Sequence, residues 1–134
     1  MEVYQTKTNI IPGTNFKAVE NIALVKFKAI RNKSKRTPYV RSAYFKKQKV
    51  FLNIFWSHLH QKRDRMERLR YFDCAIDLIK KSKCTPNIFV PKSSKNEKLH
   101  RFLGKTKDGK VFCVQIKENI RTKRKDLISM FPLK

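Results

Sequence analysis

The hydrophobic periodicity of this chain changes at Pro86, and that change constrains the fold more than any other feature. Before Pro86, apolar residues recur at the three- and four-residue spacing of amphipathic helices. One helical pattern covers about residues 49 to 63, and a second runs from about residue 64 or 65 to 81, with Asp64 as its N-cap. After Pro86 the apolar runs are short and strand-like: NIFV, LHRFLGKT, VFCVQIKEN and LISMFP. We therefore predict an α+β domain in which two helices pack on a small antiparallel sheet of about four strands.

The dipeptide Asp108-Gly109 lies between the second and third strand-like runs and is a strong signal for a two-residue hairpin turn. Such a turn places His100 opposite Lys117. One face of the predicted sheet is then apolar, and the other is open and carries six side chains: His100, Phe102, Thr106, Cys113, Gln115 and Lys117. A one-residue bulge would exchange His100 for Arg101 on the open face.

Residues 1–46 form a basic N-terminal segment. Its stretch VENIALVKFKAI fits a strand or a short helix equally well. The stretch RNKSKRTPYVRSAYFKKQK, which follows it, is dense in positive charge and broken by Pro38, as is typical of a basic arm or connector. The aromatic residues of that arm either stack on bases or anchor the arm to the domain. We assign residues 47–134 to a domain made of the helix pair and the antiparallel sheet.

The charge of the chain points to a polyanionic partner. It has 33 Lys and Arg against 10 Asp and Glu, a net charge of +23 on 134 residues. Such an imbalance favours nucleic acid, an anionic membrane or a very acidic protein as partner. The apolar runs are too short to span a membrane, and no basic amphipathic helix stands apart from the core pattern, so we expect RNA or another nucleic acid. Three cysteines without a CxxC spacing favour a reducing cytoplasm, and we expect neither a metal nor a cofactor.

Two helical segments, FWSHLHQK and RMERLRYFDCAIDLIKKS, are followed by the phrases HRFLG, VQIKE and SMFP, all within about residues 46–132. Their order resembles the phage and bacterial branch of the barnase–EndoU–colicin–RelE fold nucleases. The resemblance implies a small metal-independent ribonuclease, either a toxin or a mobile-element nuclease, with helices packed on a four-stranded antiparallel sheet. It also makes an acidic antitoxin or inhibitor protein an expected partner. The chain has no clear match to the paired glutamate and histidine of barnase.

Metal-independent RNA cleavage needs a base for the 2′-hydroxyl, an acid for the leaving 5′-oxygen and cations around the phosphate. His58 and Lys62 lie one helical turn apart at the rim of the first helix, and the hairpin places His100 beside Lys117. With a serine of the last strand, these are the predicted catalytic residues: His58, Lys62, His100, Lys117 and Ser129. The predicted nucleic-acid ligands are six basic residues: Arg41, Lys46, Arg65, Arg68, Arg101 and Lys105.

Other interpretations of these residues remain open. His58 could equally be a histidine at the border of the core that is satisfied by a hydrogen bond, and His60 is expected at the surface. The whole chain could be a non-catalytic RNA- or DNA-binding protein that uses the same basic groove. It could also be an interaction protein that is neutralised by an acidic partner.

Overall fold

The computed structural model describes residues 2–133, which form four helices and seven strands. The helices are α1 (Phe16–Lys33), α2 (Asn53–Leu59), α3 (Arg65–Leu69) and α4 (Phe72–Lys81). The strands are β1 (Val3–Gln5), β2 (Tyr39–Ser42), β3 (Gln48–Phe51), β4 (Asn87–Phe89), β5 (Glu97–Lys105), β6 (Val111–Asn119) and β7 (Lys125–Pro132). None of the described helices has both the length and the apolar character needed to cross a membrane.

All seven strands belong to one curled, mixed sheet in the order β1-β5-β6-β7-β3-β2, and β4 pairs with the first half of β5. β1 runs parallel to β5 and β3 runs parallel to β7, whereas the other pairs are antiparallel. The two parallel pairs join the N-terminal half of the chain to the C-terminal hairpins. The sheet therefore depends on pairings between residues far apart in the sequence as well as on local hairpins.

The predicted fold, a basic arm followed by two helices on about four antiparallel strands, is wrong. The N-terminal segment contributes β1, α1 and β2, and the boundary drawn at residue 46 falls in the turn between β2 and β3. In α1, the residues Val19, Ala23 and Phe27 are buried at four-residue intervals. The Asn15 side chain caps this helix by accepting a hydrogen bond from the Ala18 amide at 2.9 Å. The buried stripe makes this segment part of the fold despite its many Lys and Arg residues.

Both predicted helices are shorter than their apolar patterns suggested. Residues 49–51 belong to β3, where Val50 is buried in the sheet, and α2 begins only at Asn53. The second pattern is divided into α3 and α4 at Arg70 and Tyr71. Asp64 does precede α3, but its side chain makes no capping hydrogen bond. A strand and a helix break thus lie inside runs that have helical spacing, because tertiary packing overrides a short local pattern.

A hairpin turn lies at the predicted Asp-Gly dipeptide, but it is longer than two residues. The Thr106 amide donates to the Lys110 carbonyl, and the Gly109 amide donates to the Thr106 carbonyl. Gly109 has a φ of 95°, in the left-handed region that favours glycine. The longer turn shifts the β5–β6 register by one residue. His100 therefore lies on the face opposite to the predicted one, and Arg101 takes its place.

The two faces of the sheet differ in what covers them. The inner face packs against the helices and includes six buried apolar side chains: Phe102, Phe112, Val114, Ile116, Leu127 and Met130. The opposite face, which we call the outer face, carries Tyr39, Arg41, Lys49, Phe51, Phe89, Glu97, Arg101, Leu103, Lys105, Cys113, Gln115, Lys117, Asp126, Ser129 and Phe131. No outer-face residue joins the core cluster formed within residues 2–133. The helices therefore leave the outer face open to solvent and to ligands.

We expect Gly104→Ala to lower the free energy of unfolding by about 1–3 kcal/mol, the usual cost of overpacking a core. Gly104 lies on the inner face, where an added Cβ would collide with the Phe112 ring and come within 2.9 Å of Leu78 Cδ1. Both neighbours are almost fully buried and have little room to move. Urea unfolding measures the effect, with the neighbouring exposed substitution Lys105→Ala as the control. Equal stability of Gly104→Ala and the control would contradict this close packing.

Candidate nucleic-acid interface

The outer face is strongly cationic. Its basic side chains come from four strands: Arg41, Lys49, Arg101, Lys105 and Lys117. The loop before β7 adds Arg124, whose side chain leans on the same face. The outer face also carries two carboxylates, Glu97 at the start of β5 and Asp126 of β7. The Asp126 side chain is almost fully buried and accepts from Arg124 Nε at 3.3 Å. Because that carboxylate is already engaged, most of the positive charge is available to a polyanion.

Each aromatic ring on the outer face has a cationic side chain over it. The distances to the ring centroid are 4.6 Å for Lys49 on Tyr39, 4.2 Å for Arg124 on Phe51, 5.0 Å for Arg101 on Phe89 and 5.3 Å for Arg68 on Phe131. These distances are within the range of a cation–π contact. The face therefore carries four stacked pairs of a ring and a cation, with the rings on β2, β3, β4 and β7.

Arg101 lies on β5, next to one edge of the sheet, and is paired through its backbone with Asn87 of the edge strand β4 on one side and Gln115 of β6 on the other. Its Nε is buried and has no hydrogen-bond partner among the described residues. Such a donor costs free energy unless an acceptor from a ligand satisfies it.

Burial raises the pKa of the nearby Cys113 thiol to about 11, although the charge of Arg101 opposes the shift. The thiol is therefore protonated at neutral pH and is a poor nucleophile.

A shallow depression beside β7 brings together three of the predicted catalytic residues. It is lined by His58 of α2, Lys62 of the following turn, Arg68 of α3 and Ser129 of β7. The Ser129 hydroxyl lies 3.5 Å from Gln115 Oε1 and so links the depression to the outer face. His58 and Lys62 are both exposed. A proton-transfer group, two cations and a hydroxyl thus lie together beside β7.

His100 does not join this group, because it lies on the inner face and is only 4% exposed. Its Nε2 donates to Glu118 Oε1 at 2.8 Å, and Glu118 Oε2 lies 3.5 Å from the Lys125 ammonium group. We call His100, Glu118 and Lys125 the buried charge cluster. The Phe45 ring, from the β2–β3 turn, contacts both partners of Glu118, with centroid distances of 4.9 Å to the His100 ring and 5.0 Å to Lys125 Nζ. The Nδ1 atom of His100 has no hydrogen-bond partner among the described residues. The predicted pairing of His100 with Lys117 on the open face is therefore wrong.

The other predicted residues are distributed between the outer face and the helical side. Four of the basic residues chosen as ligands or catalytic groups are outer-face residues: Arg41, Arg101, Lys105 and Lys117. Arg65 instead lies over the Phe16 ring of α1 at 4.2 Å. Lys46 is at the tip of the β2–β3 turn with a φ of 55°. His60, expected at the surface, is exposed and lies 2.9 Å from a Glu20 carboxylate oxygen.

Five outer-face contributors were not singled out from the sequence: Lys49, Phe51, Phe89, Arg124 and Phe131. Tyr39 was among the arm's aromatic residues that were expected either to stack on bases or to anchor the arm. The stretches YVRS and QKVF do alternate polar or aromatic residues with buried Val40 and Val50, which is the period of a strand. That signal was hidden because the first stretch was assigned to an arm and the second to the start of a helix. A strand interpretation of both would have placed Tyr39 and Phe51 on one face.

No group of three or more His, Cys, Asp or Glu side chains within residues 2–133 is arranged to hold a metal ion. Comparison of the chain with protein-family models, with curated proteins and with solved structures gave no match. The resemblance to the barnase–EndoU–colicin–RelE fold nucleases therefore stays a prediction that depends on the order of these segments and on three short phrases.

Proposed function

We propose that this protein binds single-stranded RNA along the outer face of its sheet. The observation that carries the proposal is the pairing of each outer-face aromatic ring with a Lys or Arg side chain. A single strand presents bases, which stack on aromatic rings or on Arg guanidinium planes, and phosphates, which need cations nearby. The net charge of +23 supplies the long-range attraction that such binding requires.

Unpaired RNA fits the outer face better than a duplex does. Bases in a duplex are stacked on each other and cannot stack on protein rings, whereas single-stranded bases can be splayed onto an open sheet. The Arg101 guanidinium, which lies 5.0 Å from the Phe89 centroid on β4, adds a positive charge for a phosphate. Stacking and phosphate contacts of this kind tolerate many sequences, so we expect weak base preference.

The test is the affinity for a single-stranded RNA of mixed sequence, measured by fluorescence anisotropy. We expect Phe131→Leu to weaken binding about tenfold, the scale of one lost base–aromatic stack. The matched control is Phe16→Leu, because Phe16 also carries an arginine, Arg65, over its ring at 4.2 Å but lies on the helical side. Affinity should also fall steeply between about 50 and 200 mM salt, because phosphate contacts release counterions.

Three results would contradict the proposal. One is equal loss of affinity in the Phe131 and Phe16 variants, which would mean that the outer face is not the binding surface. Another is an affinity that does not change with salt. A third is tighter binding to a duplex of the same length than to the single strand.

A metal-independent ribonuclease that cleaves by 2′-hydroxyl attack is a second candidate. It is favoured by the depression that His58, Lys62, Arg68 and Ser129 share beside the outer face. In this candidate, His58 accepts the 2′-hydroxyl proton as the P–O2′ bond forms, the Lys62 ammonium group donates a proton to the leaving 5′-oxygen as the P–O5′ bond breaks, and Arg68 stabilises the negative charge on the phosphate. His100 has no part in it, because that ring is buried on the inner face.

A further inference from the structure

A cavity of about 570 Å³ lies at one end of the outer face. Five cationic side chains line it: Lys35 and Arg36 from the connection between α1 and β2, Arg41 from β2, Lys49 from β3 and Arg124 from the loop before β7. Its volume is in the range that holds a nucleotide-sized ligand. β2 is the last strand in the sheet order, so this cavity is where a strand of RNA following the face would end.

The charge of the cavity is far from balanced by the protein itself. No acidic residue of the described chain lines it. The nearest carboxylate in contact with a lining residue is that of Asp126, which is almost fully buried and already accepts from Arg124 Nε. Five positive charges around one cavity repel each other, and a single phosphodiester carries only one negative charge. A terminal phosphate carries nearly two charges and three strong acceptor oxygens, and a chain of terminal phosphates carries more.

Three of the five cationic groups, those of Arg41, Lys49 and Arg124, are held in place by the floor of the cavity. Tyr39 and Phe51 form this floor, with ring centroids 6.1 Å apart. The Arg124 guanidinium lies 4.2 Å from the Phe51 centroid and the Lys49 ammonium 4.6 Å from that of Tyr39. Arg41 lies 5.6 Å from the Tyr39 centroid and donates to the Lys47 carbonyl at 3.0 Å. Side chains restrained in this way lose less conformational entropy when a ligand binds.

We infer that this cavity binds the terminal 5′-phosphate groups of a nucleotide, supplied either by the end of an RNA strand or by a free nucleotide. The arginines contact the phosphate oxygens through paired N–H groups, which suits them to this ligand. The guanidinium of Arg124, already over Phe51, offers its other side to the terminal base. Where the bound phosphate belongs to the end of an RNA strand, this inference rests on the proposed RNA binding; where it belongs to a free nucleotide, it does not.

The test compares one RNA sequence with a 5′-triphosphate, a 5′-monophosphate and a 5′-hydroxyl end. We expect the triphosphate form to bind at least tenfold more tightly than the hydroxyl form, with the monophosphate between them, because each additional phosphate contact multiplies affinity. The double variant Lys35→Gln/Arg36→Gln should abolish this preference and keep the affinity for 5′-hydroxyl RNA, because both residues line the cavity but are not on the outer face. The control Lys105→Gln, elsewhere on the outer face, should weaken all three forms equally.

A free nucleoside triphosphate is added as a competitor to separate the two sources. Competition that removes only the preference for the 5′-phosphate supports a free nucleotide as ligand, and a preference that persists supports the RNA end. Equal affinity for all three RNAs would overturn the inference and leave the proposed RNA binding intact. Binding of the free triphosphate without any binding of RNA would instead overturn the proposed function and keep the cavity as a nucleotide site.

Discussion

Replacing Glu118 by glutamine is expected to lower the free energy of unfolding by about 3 kcal/mol, because it leaves a buried charge without its partner. The Lys125 ammonium group is only 3% exposed and lies 3.5 Å from Glu118 Oε2. Its remaining hydrogen bond goes to the Lys123 carbonyl at 2.8 Å, which does not neutralise the charge. His100 would also exchange a charge-assisted hydrogen bond for a weaker one.

Urea unfolding of Glu118→Gln, beside the exposed control Glu67→Gln, measures this effect. The double variant Glu118→Gln/Lys125→Met should recover most of the lost stability, because it removes the buried charge altogether and keeps a side chain of similar length. If Glu118→Gln is as stable as its control, the positive charge of Lys125 does not need the Glu118 carboxylate as its partner, and the prediction is wrong.

The same stability difference should depend on pH. Burial opposes ionisation of Glu118, but the hydrogen bond from His100 and the charge of Lys125 outweigh it and lower the pKa of Glu118 below its ordinary value of 4.5. A carboxyl group whose pKa is lower in the folded state stabilises that state above its unfolded pKa. The difference between wild type and Glu118→Gln should therefore be full above about pH 4.5 and shrink as the pH falls below it.

Local patterns predicted the C-terminal hairpins but not the way in which they join the rest of the sheet. The strand-like runs around the Asp-Gly dipeptide correspond to β5 and β6, because alternating apolar residues and turn chemistry are local signals. β1 has only three residues, and it is fixed by parallel pairing of Val3 with Leu103, a hundred positions away. Residues so far apart in the chain produce no pattern within a short stretch of sequence, so local periodicity does not predict their pairing.

The candidate site was partly predictable for the same reason. Lys117 was chosen because the predicted pairing placed it on the open face, and it is on the outer face. Arg101 and Lys105, chosen as nucleic-acid ligands, are on the outer face too, although the predicted pairing left both off the open face. His100 was placed on the wrong face because Gly109 takes a left-handed conformation that lengthens the turn by enough to shift the register. A shift of one residue inverts every side chain of a strand, so the identity of a site depends on a detail of the turn.

We expect His58→Ala to reduce RNA cleavage in EDTA about 100- to 10,000-fold, if the depression beside β7 is catalytic, because that is the scale of a lost proton-transfer group. His58 is exposed there beside Lys62, Arg68 and Ser129. RNA affinity should fall much less, since the cationic outer face is unchanged. Cleavage of a defined single strand by purified protein, followed by end-group analysis of the fragments, measures the rate and the chemistry.

His60→Ala is the matched control, because His60 is two residues away and exposed, but lies 2.9 Å from Glu20 of α1 instead of in the depression. Attack by the 2′-hydroxyl should yield fragments that end in a 2′,3′-cyclic phosphate or its hydrolysis product, because the attacking oxygen stays bonded to the phosphorus. Equal rates for the two histidine variants would remove His58 from the reaction. If the wild type binds RNA but leaves it intact in EDTA, the depression has no metal-independent activity, and the paired rings and cations of the outer face account for a protein that binds RNA without cutting it.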